Sequence, residues 1–440
     1  MESPFQISIF DKAFGWKGVL GSPTFQSWTP RFNKLGTGEF GVAPTDPMLA
    51  FLYAPGARVR VTYKGEHQIS GPVLHPSGPL ATNGTVTFQV EDDGRALQNT
   101  LAWVNPQNVL TPTALTASSS AALAQSWLPD GPSSVGPDGT TQGQYGYMVW
   151  PVEVVSAESA VKWLVSTNAV GRLNRPITVA ADLVRGGDAV AAGMLPQVRM
   201  GQLDEAVAEL LEWSGLGLKL WHDGVNPTVY ADVWAPTVWP QTLTVESGIV
   251  VAGEWSKQNP TATRIVVGGP GEDVARAFWG VTDAAREAEY GDIIEVFRDA
   301  TGANLDWPST LAEVYRVAKY YLLRGEVSAA AKTEFRKQLN MAAGRGLTEG
   351  APTSGLSLEL SETVSFFYGP GGFHVGDQIT VESNGLYFTD RITECEMSET
   401  VEAGVIVTPR VGSRQDDPDT IFARSIERLA AAQRQISTSK

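Results

Sequence analysis

The hydrophobic pattern is clearest near the start of the chain. In RVRVTYK, Arg58 to Lys64, the residues Val59, Val61 and Tyr63 share one face, while Arg60, Thr62 and Lys64 share the other. Alternation with period two is the signature of a half-buried strand. TVTFQV, ending at Val90, repeats it through Val86, Phe88 and Val90. Between these two, HQISGPVL predicts a strand that ends at the Gly71-Pro72 break. Upstream, FQSWTPRF and EFGV predict short strands joined across NKLGTG, whose glycines permit positive φ in a tight turn. Roughly five short strands in such close succession predict a small antiparallel barrel or sandwich.

The pattern then changes. Residues 106–147 are rich in Ser, Thr, Gly and Pro and poor in charge, which predicts a long surface loop or linker. Beyond them the period becomes helical. Ala157, Val161, Leu164 and Val165 fall on one face, with Ser156 as N-cap. Leu203, Val207, Leu210 and Leu211 repeat the spacing, and Gly215 supplies the stop. The strands GLKLWHD and TVYADVW follow, so this region reads as α+β.

From about residue 241 the chain returns to β-patterning in QTLTVESGIVVAGEW and ATRIVVGG. A helix over STLAEVYRVAKYYLLRG carries a capping box of Thr310 and Glu313 and stops at Gly325. A further helical stretch follows over EVSAAAKTEFRKQLNMAAGRG. GLSLELSE, DQITVE, YFTDRITECEM and GVIVTPRVG predict the closing strands. The last segment predicts an amphipathic helix whose seam is Phe422, Ile426, Leu429 and Ile436, with Gln433 among them. Its heptads are fewer than the three or four a coiled coil asks for.

Composition narrows the function. At 440 residues the chain exceeds one core and predicts several domains. No apolar run approaches the ~18 residues a membrane-spanning helix needs. MESPFQISIFDKAF lacks the basic and apolar regions of a signal peptide, so the expectation is a chain that stays where it is made. The net charge of −15 is spread along the sequence, with no basic block to neutralise phosphates. A negative surface suits a passage through which DNA slides without sticking.

Candidate chemistry is sparse. Cys395 is the single cysteine, so no disulfide forms within the chain, and its place in a strand predicts a small buried hydrophobe. His67, His75, His222 and His374 lack metal-ligand spacing. RIVVGGPGEDVARAF has Pro270 where a dinucleotide fingerprint needs glycine, which predicts a hairpin instead. The acids Glu91 to Asp93 and Asp416 to Asp419 predict solvated turns. No G-x-S-x-G elbow is present. Trp163 and Trp213 lie on apolar helix faces and predict core. These residues point to a binding or structural protein with no cofactor, no metal and no catalytic site.

The order of several motifs carries a resemblance. RFNKLGTGEFGVAPTDP, PGARVRVTYKGEHQISGPV, VEDDGRAL, AESAVKWLVSTN, LDEAVAELLEWSGLGLKL, NPTATRIVVGGPGE, YGDIIEVFRD, FHVGDQITV and VTPRVG succeed one another over roughly residues 20–412. Together they resemble the tail-hub minor tail proteins of long-tailed siphovirus phages of actinobacteria, relatives of the baseplate hub of contractile phages. The insert near 111–146 and the helical stretch near 326–345 depart from that pattern.

The resemblance implies a β-rich α+β fold with two tube-like antiparallel β-barrel domains. The first barrel would occupy 1–110, a Ser/Gly/Pro-rich insertion 111–147 and an α+β domain 148–240. The second barrel, with inserted helices, would occupy 241–412, and a C-terminal helix 413–440. It further implies a non-enzymatic homotrimeric ring at the virion tail tip, made in the bacterial host cytoplasm. Expected partners are a distal tail or tube ring protein above, the tape-measure protein C-terminus, and a central fibre or other tip and receptor-binding proteins below. Phage DNA would pass only in transit through a channel lined by acidic or small polar side chains, with no stable membrane insertion. The seam Phe422, Ile426, Leu429 and Ile436 would serve the trimer or the tip partner. A β-scaffold glycan-binding receptor module and a cell-wall glycan hydrolase remain as alternative readings.

Overall fold

The computed structural model describes residues 3–78, 84–103, 134–135, 141–142, 150–151, 153–189, 195–196, 198, 201–269, 278–300, 329–383, 385–400 and 404–412. In chain order the first elements are β1 (Phe5–Phe10), β2 (Trp16–Leu20), β3 (Phe25–Thr29), β4 (Thr37–Val42), α1 (Leu49–Leu52), β5 (Arg58–Tyr63), β6 (Glu66–Ser77) and β7 (Val86–Glu91). Next come α2 (Arg95–Gln98), β8 (Leu101–Ala102), β9 (Ser134–Val135), β10 (Thr141–Gln142) and α3 (Ala157–Val165), which runs into a π-helical segment, Ser166–Arg172. β11 (Ile177–Val179), β12 (Gly201–Gln202), α4 (Leu203–Ser214), β13 (Gly217–His222), β14 (Val229–Trp234), β15 (Val238–Thr244) and β16 (Val250–Gln258) follow. The chain continues through β17 (Arg264–Gly268), β18 (Phe278–Thr282), α5 (Ala284–Tyr290), β19 (Glu295–Asp299) and α6 (Ala329–Glu349). It closes with β20 (Thr353–Leu360), β21 (Gln378–Ser383), β22 (Leu386–Thr400) and β23 (Gly404–Val411).

The chain divides into two compact units. The first gathers residues 1–92, 236–257 and 354–440, and the second 93–235 and 258–353.

In the first unit a 13-stranded sheet runs in the order β16-β20-β23-β22-β3-β4-β7-β6-β5-β1-β2, with β21 pairing both β15 and β22. Strands from both predicted barrel regions therefore share one sheet, joined where β22 pairs antiparallel with β3, Met397 opposite Trp28. No closed barrel is found among the described residues. The predicted alternation holds: Val59, Val61 and Tyr63 of β5 and Val86, Phe88 and Val90 of β7 are buried. Trp28, Phe40 and Phe88 stack in series at 5.8 and 5.4 Å between centroids. Cys395 is buried in the same core, as expected, and burial pushes its thiol well above its ordinary range.

Three local expectations need correction. The strand through HQISGPVL does not stop at Gly71-Pro72 but runs on to Ser77. It pairs with β5 as far as Pro72 and then with β7 from Val73. Gly71 makes the transfer possible, because a Cβ there would lie 1.8 Å from the Glu91 carbonyl oxygen. In NKLGTG it is Asn33 that takes positive φ, at 51°. Gly36 and Gly38 are needed instead for close approach: a Cβ on Gly38 would meet the Trp28 ring at 2.1 Å. The acids of 91–93 are not simple solvated turns either. Asp92 accepts a hydrogen bond from the Gly36 amide at 2.5 Å, and Asp93 is buried.

Gly71→Ala is expected to destabilise the full chain by about 1–3 kcal/mol or more, since backbone must move to admit the methyl group. An unchanged urea midpoint would show that β6 can step aside.

Among the described residues the second unit has two three-stranded sheets, β11-β14-β13 and β18-β17-β19, and two two-stranded ones, β8-β12 and β9-β10. β11 and β14 are parallel and β13 is antiparallel to β14. α3 starts as predicted, with Ser156 Oγ accepting from the Ser159 amide at 3.1 Å. α4 ends at Gly215 with φ 68°, also as predicted. β17 pairs antiparallel with β18, the hairpin expected for RIVVGGPGE, and parallel with β19. Leu339 and Ala343 of α6 pack on Ile265 and Val267. Trp163 and Trp213, expected in the core, are only half-buried. The predicted helix over 309–325 and the C-terminal helix lie outside the described residues.

Candidate functional site

The outward face of β22, β3, β4 and β7 is polar. Strand alternation sends Gln26 and Trp28 inward and leaves Ser27 and Thr29 outward. Register then builds two rows across the strands. One runs Ser398, Ser27, Glu39, Gln89 and Leu74, the other Thr29, Thr37 and Glu91. All of these but Ser398 line a cavity of 330 Å³, together with His75. Its lining holds two carboxylates, Glu39 and Glu91, and no Lys or Arg.

The cations next to it are paired. Arg31 Nε lies 3.0 Å from Glu394, and Arg410 lies 3.5 Å from Glu394 and 3.6 Å from Glu396. Such a surface offers hydrogen-bonding groups without a net attraction for phosphates. Behind it the face is locked to the core. Trp28 Nε1 donates to Gln26 Oε1 at 2.8 Å, and Gln26 Nε2 donates to Glu399 at 2.6 Å.

The second unit buries a charge network. Glu158 is fully buried and Lys162 nearly so, four residues apart on α3. Lys162 Nζ donates to Glu158 Oε1 at 2.7 Å and to the Ala181 carbonyl at 2.6 Å, and sits 2.7 Å from Asp232 Oδ1. Arg185 donates through Nε and Nη2 to the two Glu158 oxygens at 2.8 and 2.9 Å, and also to the Val233 carbonyl. Burial alone would raise the Glu158 carboxyl. Hydrogen bonds from Arg185 and Lys162 overcome that and hold it down at about 2. From sequence, Glu158 and Lys162 look like an ordinary exposed i,i+4 pair. Only Arg185 and Asp232, distant along the chain, turn the pair into a pin between α3 and β14.

Among the described residues no group of three or more His, Cys, Asp or Glu side chains is placed to hold a metal ion. No helix there is long and apolar enough to cross a membrane. Phe422, Ile426, Leu429 and Ile436 lie outside the described residues, so their seam is neither assembled nor dispersed by this geometry.

Comparison with solved structures finds phage tail proteins at low identity. The 43 kDa tail protein of prophage MuSo2 from Shewanella oneidensis matches with TM-score 0.47 and 14% identity, over 92% of this chain and 98% of that one. A tail protein from Neisseria meningitidis MC58 matches with TM-score 0.46 and 11% identity, over 93% and 97%. Prophage tail protein gp18 from Listeria monocytogenes EGD-e matches with TM-score 0.45 and 10% identity, over 97% and 99%. No curated protein sequence matches. The model of the siphovirus ReqiPepy6 Gp37-like proteins matches residues 153–413, well over half of the 440 residues. The chain thus belongs to the siphovirus ReqiPepy6 Gp37-like protein family.

Proposed function

We propose that this protein is a structural, non-enzymatic hub at the siphovirus tail tip. Three copies form a ring that joins the sixfold tail tube to threefold tip or fibre components. The ring forms part of the conduit for genome ejection. Its neighbours are a distal tail or tube ring protein, the tape-measure protein C-terminus and a central fibre or receptor-binding protein. The two β regions, 1–110 and 241–412, act as tube-like repeats. The seam of Phe422, Ile426, Leu429 and Ile436 serves the trimer or its tip partner.

One observation carries the reading: the polar sheet face of Ser27, Thr29, Thr37, Glu39, Gln89 and Glu91, lined without Lys or Arg. Family membership and the order of motifs along the chain support it. Such a face fits a passage for DNA, because every unpaired cation would add a phosphate contact and slow transit.

Light scattering on the full chain tests the assembly, with an expected mass three times 47.2 kDa. Electron microscopy of particles tests the face, which is expected to look onto the channel. A chain that stays single in solution and in particles overturns the ring. A ring with this face turned away from the channel overturns the lining.

A further inference from the structure

Arg172 closes the π-helical segment and Arg175 follows three residues later, while several other arginines of the second unit are paired with carboxylates. Arg185, Arg264, Arg286 and Arg298 each hold a carboxylate within 3.3 Å. Neither Arg172 nor Arg175 has a carboxylate of the described residues at that range. Each turns one Nη2 onto a backbone carbonyl. Arg172 donates to Leu101 at 2.6 Å and Arg175 to Asn99 at 2.7 Å. Those carbonyls belong to residues two apart, so the two guanidiniums are anchored within about 7 Å of chain. The Nε of each arginine is buried and makes no hydrogen bond.

The surroundings are fixed and partly apolar. Arg172 lies over the Trp103 ring, 5.4 Å from its centroid. The Trp103 amide donates to Asn168 Oδ1 at 2.9 Å, and Asn168 is wholly buried and tied to the Leu164 carbonyl. Leu101 and Leu173, adjacent in the chain to these groups, are exposed. Burial lowers both guanidiniums from their ordinary range, and the charge of Arg175 lowers Arg172 further. Both stay protonated at neutral pH. The C-terminal end of the helical segment offsets part of the repulsion, but no carboxylate of the described residues neutralises these two half-buried cations.

We propose that Arg172 and Arg175, with Trp103, Leu101 and Leu173, form a docking site for an acidic, apolar-flanked peptide segment of a partner protein. Carboxylates suit the forked guanidiniums bidentately, and the flanking leucines and the indole take the apolar side chains. Arg and Trp are the residue types that dominate interface energetics. A nucleic acid fits less well, since two arginines in a chain of net charge −15 give no continuous basic track. This inference does not rest on the proposed ring and conduit.

The test is fluorescence anisotropy on the full chain with a fluorescein-labelled peptide of alternating Asp and Leu, and with a labelled single-stranded oligonucleotide. Saturable peptide binding is expected, weakened about tenfold or more in Arg172→Gln/Arg175→Gln, which corresponds to about 1.4 kcal/mol. Absence of saturable binding, equal affinity in the double variant, or tighter oligonucleotide binding through the same arginines overturns the proposal. If the variant does not fold, phenylglyoxal modification of the unaltered chain decides. The peptide should slow modification of Arg172 and Arg175, located by mass mapping, and equal rates with and without it overturn the proposal.

Discussion

Glu158→Ala is expected to destabilise the protein by about 3–5 kcal/mol, the usual cost of removing one member of a buried charge network. The variant leaves Asp232 as the remaining carboxylate within 4 Å of Lys162 and Arg185 among the described residues, with Asp182 acting on Arg185 from farther away, in a site where Lys162 is nearly buried. Those cations can neither rehydrate fully nor share one carboxylate on equal terms, since Arg185 Nη2 is 3.7 Å from it. Chemical denaturation of the full chain measures the effect. A loss below about 1 kcal/mol would show that water reaches Lys162 and that the network does little to hold α3 on β14.

The same carboxylate sets an acid limit. Glu158 is held at about 2 against an ordinary 4.5, so the folded state favours its ionised form. The stability it contributes is complete above about pH 4.5 and is lost as the pH falls towards 2. A depression of that size corresponds to about 3 kcal/mol. The protein should therefore lose stability steeply between these values, and Glu158→Ala should show a shallower decline. Parallel slopes would place the acid sensitivity elsewhere.

Trp28→Ala is expected to destabilise the first unit by about 3–5 kcal/mol, as large-to-small changes at fully buried aromatics do. Trp28 is entirely buried, stacks on Phe40 and fills the space that Gly38 leaves open. Its loss also strands the Gln26 amide oxygen, which accepts from the indole. Trp28→Phe should recover most of the packing but not the hydrogen bond, so an intermediate loss is expected. A Trp28→Ala variant as stable as the parent would mean that the sheet collapses onto the vacancy.

Elements with a pure period were legible in the sequence. β5, β7, α3 and α4 appear where alternation or helical spacing places them, caps included. β1 and β2 fall outside the sequence-based expectations, although FQISIF alternates as cleanly as β5. The run of β6 through Gly71-Pro72 was hidden for a physical reason. Gly-Pro is a breaker locally, yet here it lies where one strand changes partners, and only the approach of Glu91 reveals that. The polar face needed register across β3, β4 and β7, which periodicity alone does not supply. Glu158 was unreadable because its burial depends on Arg185 and Asp232, residues no local window contains.

The pairing of β22 with β3 has a consequence for synthesis. The ribosome delivers Phe25–Thr29 early, yet their neighbours Met397–Thr400 come near the end. At ~5–20 residues per second, the early strands wait on the order of 20–75 s with one backbone edge unsealed. During that interval the nascent chain is vulnerable to strand-mediated aggregation, and a prematurely terminated product can never seal it. Only translation through β22 yields a chain whose first strands are finished.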